Sequence, residues 1–392
     1  MDALFSHPLF MPLILSAIII LGFPLVAGYI VLVERKVLAD MQVRLGPMRV
    51  GPNGLLQPIA DALKLLIKED IVPTHSDKAI FWIAPVISCV CAFSGFTVIP
   101  FNTWIRIADV NVGLLVISAT SSVGILGIIL GGWASNSHYS LLGALRSAAQ
   151  LVSYEVALSL SLVCGVMAAG TLHMPLIVAA QQQKQIWFVF ENFGLMGIAF
   201  MIYLIAATAE INRTPFDLPE AESELVAGFH TEYSGFRWAL FMLAEYGNIF
   251  VVASVGVVLF WGGWLRPFPN VGWLAVPMNY GVPLLLFGGS ALASIVLVKR
   301  LKERIQRIVL MIVIGGLGFV GLLFLWPAFN QASSAVFWFL FKVSLWVYLM
   351  VWFRGTFPRF RYDQLMNVGW KVLIPGGMFC VLANAVVGMW KQ

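Results

Sequence analysis

Charged side chains are scarce in this chain of 392 residues, at 11% of the total against about 25% in soluble domains. Sixty per cent of residues are hydrophobic and the mean hydropathy is +0.89, a composition that excludes a water-soluble globular domain. Cysteine is also rare. Cys89, Cys91, Cys164 and Cys380 fall in hydrophobic runs, and the C-x-C spacing at 89–91 has no second Cys or His group to complete a metal site or disulfide framework. His7, His75, His138, His173 and His230 read as loop or boundary residues, which disfavours a haem-binding cytochrome. No Gly-rich phosphate loop, nucleophile elbow or HExxH motif is found, so no metal and no resident redox cofactor is expected. Strand-like alternation is missing too, which excludes an outer-membrane barrel. The first hydrophobic run follows MDALFSHP without a basic start or a small-residue cleavage site, and reads as a retained span.

What the chain does have is long apolar segments. Windows near the roughly 20 residues needed to cross a bilayer lie at 11–33, 80–99, 112–133, 150–170, 190–209, 238–261, 282–298, 308–326, 335–353 and 371–389. Helices are required there, because hydrocarbon leaves backbone groups no other partner. The expectation is therefore an all-α, polytopic membrane protein of about ten transmembrane helices, a single bundle over 1–392. Lys and Arg set its orientation. With the N-terminus outside, 19 basic residues fall in the loops 34–79, 134–149, 210–237, 299–307 and 354–371, against Arg106, Lys184, Arg266 and Lys391 opposite. Lys342 lies in a span and is expected to snorkel from its outer end. The net charge of +5 is on this reading a topological signal, not a sign of nucleic-acid binding.

Two inner connections stand out. GLLQPIADALKLLIKED places Gln57, Asp61, Lys64 and Lys68 on one side of a helix and leucines and isoleucines on the other, as in an interfacial amphipathic helix. AEINRTPFDLPEAESELVAGFHTEY, residues 209–233, holds Glu210, Asp217, Glu220, Glu222, Glu224 and Glu232, six of the chain's 19 acids, answered only by Arg213. Asp217, Pro219 and Glu220 fit a helix start with a capping box, which leaves the other acids unexplained. Glu155 and Glu245 lie inside spans, where an acid costs roughly 2.5–3.5 kcal/mol by insertion scales and marks a bundle interior or a proton route. With Glu210 and the acidic loop they suggest a polar path from the inner surface into the membrane.

Three stretches carry a family resemblance: ERKVLADMQVRLGPMRVGPNGLLQPIADALKLLIKED, AEINRTPFDLPEAESELVAGFHTEY and RGTFPRFRYDQLMNVGWKVLIP. Their order and length closely resemble the H-subunit family of bacterial NADH-quinone oxidoreductase, which includes subunit 1 of mitochondrial NADH dehydrogenase, in respiratory complex I. The resemblance implies an eight-helix core at the joint of the complex's hydrophilic and membrane arms, helping to form a quinone chamber on the face made by 34–79, 210–237 and 354–371. It implies Glu34, Arg35, Lys36, Asp61, Asp217, Glu220, Glu222, Glu224 and Glu232 at the chamber, and Glu155, Glu210 and Glu245 along a proton path. Arg354, Arg359, Arg361 and Asp363 are implied at the contact with the peripheral arm. Quinone would be the substrate, with FMN and iron–sulfur clusters in partner subunits, other complex I subunits and membrane lipid as partners, and the bacterial inner membrane as location. One departure from the pattern is an inserted helix pair near 281–327. The alternatives are the homologous membrane subunit of an energy-converting hydrogenase or related dehydrogenase, and a stand-alone ion transporter, whose internal symmetry is not found.

Overall fold

In a computed structural model, residues 10–218, 227–300 and 304–390 are described. Among them the regular structure is helical: α1 (Phe10–Met41), α2 (Gln57–Ile67), α3 (Lys78–Phe96), α4 (Gly113–Ala134), α5 (His138–Ala169), α6 (Met174–Lys184), α7 (Leu195–Glu210), α8 (Gly235–Phe260), α9 (Val282–Arg300), α10 (Arg304–Leu323), α11 (Pro327–Thr356), α12 (Tyr362–Val368) and α13 (Ile374–Trp390). Each of the ten predicted spans coincides with one of these helices. Among the described residues nine helical stretches are long and apolar enough to cross a membrane, and α7 is a shorter apolar helix. The protein is a multi-pass membrane protein.

Several helices outrun their hydrophobic windows. α5 starts at His138, before the predicted start at 150, because Arg146, Gln150 and the serines of that turn are polar without breaking a helix. Glu155 therefore sits near the middle of α5, not near its start.

α8 is the central helix, buried over most of its length. Small residues let its neighbours close in: a Cβ on Gly256 would lie 2.7–2.9 Å from the Trp346 and Tyr203 rings. Trp346, Tyr203, Phe260 and Phe339 fill the core around it. Lipid is as apolar as these rings, so close packing and internal polar contacts hold such a bundle more than hydrophobic burial does. α1, α9 and α10 present Leu21, Leu285 and Ile312 outward, as lipid-facing helices do.

Lys342 corrects its sequence reading. It is 2% exposed, and its Nζ donates to the carbonyls of Trp261 (2.6 Å), Gly263 (2.8 Å) and Leu265 (2.5 Å), with the Trp187 ring 4.6 Å away. The lysine caps the end of α8 instead of snorkelling, since a cation is favoured beside carbonyls that a helix end leaves unpaired.

The loops at one end of the bundle fold onto one another. Arg237 pairs with Asp70 at 2.9 Å and lies 3.8 Å over the Trp82 ring. Tyr233 stacks on Phe81 at 4.1 Å, and burial pushes its phenol above the ordinary range despite the opposing charge of Arg237. Phe360 N donates to Pro215 O at 3.1 Å, and its ring stacks on Phe216 at 5.7 Å. The first, third and last polar connections thus share one surface. α9 and α10 form a hairpin, and α10 also touches the Pro52–Gly54 turn of that surface.

Candidate functional site

The centre of this surface is Arg213. It follows the turn that ends α7, where Asn212 takes the left-handed backbone (φ 51°) that asparagine tolerates. Gln150, fully buried on α5, fixes that turn: its Nε2 donates to Ala209 O and Phe216 O, each at 2.9 Å, and to Asn212 Oδ1 at 3.2 Å. Arg213 Nη1 then reaches Glu34 Oε1 on α1 at 3.0 Å. Its Nε lies 2.6 Å from Glu245 Oε1 on α8, an ion-pair distance at an angle outside hydrogen-bond geometry. The guanidinium also stacks 4.6 Å from the Tyr246 ring. Burial opposes its charge, but Glu245, Tyr246 and Glu34 outweigh that and raise its pKa above the ordinary value.

Glu34 is 4% exposed and fully engaged, with Arg213 and Arg354 at one oxygen and Tyr246 Oη donating at 2.6 Å to the other. The crevice beside it holds about 10 Å³, room for one water at most and not for a ring. Next along α1, Arg35 pairs with Asp61 of α2 at 2.9 Å, Gln57 Nε2 donates to the other Asp61 oxygen, and Lys36 holds the carbonyl of Asn53. Asp217 accepts from Arg359 at 3.1 Å. Arg354 and Arg359 are thus committed to carboxylates of this same chain, whereas Arg361 and Asp363 are exposed beside them.

Behind Arg213 lies a cavity of about 100 Å³ between α3, α4, α5, α7 and α8, room for several waters. Glu210, Glu245, Asn212, Asn248 and His230 line it. Ser121 of α4 donates to Glu210, and the adjacent Ser122 donates to Glu155. Glu155 does not line the cavity. It faces the outer side of the α4–α5 seam, where Ser122 is exposed. Adjacent serines thus join an inner acid to an outer one.

The candidate residues therefore fall into groups. Glu34, Glu245, Arg354 and Arg213 form one cluster, Asp61 with Arg35 a neighbouring rim, Asp217 with Arg359 another. Glu210 and Glu155 are linked through the serines, and Glu232 is half-buried and takes part in none of these contacts. Glu220, Glu222 and Glu224, like Pro219 and His7, lie outside the described residues. Sequence reasoning does not single out Arg213, Tyr246, Ser121, Ser122, Gln150 or His230 as site residues. For Arg213 a signal exists, since it is the sole cation between Glu210 and Arg237. Among the described residues no group of three or more His, Cys, Asp or Glu gathers as a metal would need.

Comparison with known proteins gives the family. The sequence matches the family described as NADH dehydrogenase over residues 14–385. It is 66% identical over 389 residues to the NADH-quinone oxidoreductase H subunit numbered 2 of Solibacter usitatus, covering 99% of each chain. This chain belongs to the H-subunit family of NADH-quinone oxidoreductases. Identity is 51% to the H subunit numbered 1 of Koribacter versatilis, covering 91% of this chain and 86% of the relative. It is 42% to the H subunit of Brevibacillus brevis, covering 97% and 93%.

Proposed function

We propose that this chain is the membrane subunit of a proton-translocating NADH:quinone oxidoreductase, where quinone reduced by partner subunits is coupled to carboxylates inside the membrane. The observation that carries the reading is the sharing of Arg213 between Glu34 and Glu245. Glu34 belongs to the loop-bearing surface, and Glu245 opens onto the internal cavity. One buried cation facing both makes the charge state of one acid a condition of the other. At about 4 Å and an effective dielectric of about 20, a unit charge acts on its neighbour by about 4 kcal/mol, enough to move a proton.

The crevice at Glu34 is too small for a quinone ring, so the headgroup docks on the outer side of this cluster, in a chamber completed by hydrophilic partner subunits. Those subunits hold the FMN and iron–sulfur clusters. Charge developing on the reduced headgroup weakens the hold of Arg213 and Arg354 on Glu34, and Arg213 passes the change to Glu245. From there protons reach Glu210 through cavity water and leave by Ser121, Ser122 and Glu155 toward a neighbouring membrane subunit. The loops 34–79, 210–237 and 354–371 face the cytoplasm of a bacterial inner membrane, in line with the distribution of Lys and Arg. The helix pair at 281–327 is an addition to an eight-helix core.

Glu34→Gln and Glu245→Gln test this. Each keeps the shape and removes one negative charge. In vesicles the assembled variants retain NADH oxidation by an artificial acceptor and lose quinone-linked proton pumping. Normal coupled turnover in both assembled variants refutes the reading.

A further inference from the structure

The cavity behind Arg213 is also lined by His230, an ionisable side chain that the path above does not use. His230 closes the short turn Gly228–His230, which packs against α4 and α5. The seat leaves little freedom. Ser140 Oγ of α5 donates to Phe229 O at 3.3 Å, and a Cβ on Gly143 would come within 2.7 Å of the Gly228 backbone. The imidazole packs against the rings of Phe229 (3.8 Å) and Phe241 (5.4 Å) and is only 6% exposed. It opens on the same cavity as Glu210 and Glu245.

We infer that His230 is a proton-transfer residue of this cavity, exchanging protons between its water and the carboxylates of Glu210 and Glu245. This rests on the coupling role proposed above and adds a residue to it. A seat that served packing alone would be filled without penalty by an apolar ring, whereas burying two ring nitrogens costs free energy unless they find polar partners. Histidine can also accept a proton at one ring nitrogen and give one up at the other. Among the described residues, the other ionisable groups around the cavity are Glu210 and Tyr203 on α7, Glu245 on α8 and Cys91 on α3. α4 contributes serines and threonine, and on α5 Arg146 follows Gly143 by three residues. Tyr203 is tied to the Val252 carbonyl at 2.7 Å, and His230 faces the cavity together with the two glutamates. In the step itself, a proton bound at the unprotonated ring nitrogen gives imidazolium. Loss of the proton on the other nitrogen to a carboxylate or water restores the neutral ring.

The test uses the whole complex in native membrane vesicles, comparing H230Q, H230A and E210Q with the unmodified protein across about pH 6 to 8. NADH-driven quinone reduction and proton uptake are read together. H230Q and H230A slow proton passage on the order of a hundredfold, the loss expected for a positioned proton-transfer group, and flatten its pH profile. Added imidazole restores pumping to H230A, which has the space for it, and not to H230Q; a purely structural residue would show no such rescue. Should H230A fail to assemble, H230Q decides alone. Normal pumping in assembled H230Q with impaired pumping in E210Q overturns the assignment of His230 and leaves the coupling role standing. Normal pumping in both overturns the two together. Pumping lost in H230A but unmoved by imidazole also overturns the assignment.

Discussion

Replacing Arg213 by methionine removes the cation that Glu34 and Glu245 share. With charge centres about 4 Å apart and an effective dielectric of about 20, each attraction is worth roughly 4 kcal/mol. Part of that sum is recovered, because a buried guanidinium no longer has to be held out of water. The net cost of leaving a buried partner uncompensated is about 3–5 kcal/mol. Glu34 keeps Arg354 and Tyr246, so the bundle should still assemble, with lower thermal stability. Arg213→Lys separates charge from geometry. The wild-type residue meets Glu34 with Nη1 and Glu245 with Nε, and a single ammonium cannot occupy both positions. Its loss should be about one charge-assisted hydrogen bond, roughly 1.5–3 kcal/mol. The order of melting temperature for the purified complex is therefore wild type, then R213K, then R213M, with quinone reductase activity falling in the same order and activity with an artificial acceptor preserved. Wild-type melting and wild-type coupled turnover in R213M, or a lysine variant worse than the methionine one, refutes the reasoning.

Lys342→Met leaves the carbonyls at the end of α8 without their donor and should destabilise the complex by about 1–3 kcal/mol, measurable as a lowered melting temperature. Gln150→Leu releases the turn that carries Arg213, and hydrogen exchange over 209–218 should rise while α8 stays protected. Asp61→Asn breaks a half-exposed pair with Arg35, worth about 0–1 kcal/mol, so melting should stay within a degree or two of wild type. A drop in quinone reductase activity in that variant would then report function, not folding.

The spans were legible because hydrocarbon demands long apolar runs and satisfied backbones, and both demands are written locally in the chain. Helix ends were less so. α5 runs far beyond its apolar window because serine, glutamine and arginine are compatible with a helix outside the hydrocarbon. The site was legible in its residue types and hardly in its connections. Ser121 and Ser122 look like any serines in a membrane helix until Glu210 and Glu155 are placed beside them. His230 reads as a boundary residue because hydropathy locates a residue along a span and is silent on a turn folding back against α5. Lys342 fails the snorkelling reading for the same reason: the carbonyls that hold it come from a loop 77–81 residues earlier in the chain.

The shared cation has a consequence that single substitutions miss. Glu34 and Glu245 carry like charges and also compete for one guanidinium, so each acid is worth less while the other is present. A double-mutant cycle with Glu34→Gln and Glu245→Gln measures that coupling directly, because residues of one network interact by 0.5–3 kcal/mol where independent sites add within about 0.5. Removing either acid frees Arg213 to move fully onto the other, so the second substitution should cost more once the first is present. Repeating the cycle in the R213M background removes the go-between and leaves only the direct repulsion, which has the same sign, so the coupling energy should shrink. A coupling energy that is the same with and without Arg213 would mean the two acids sense each other by another route, and the arginine is then only a brace.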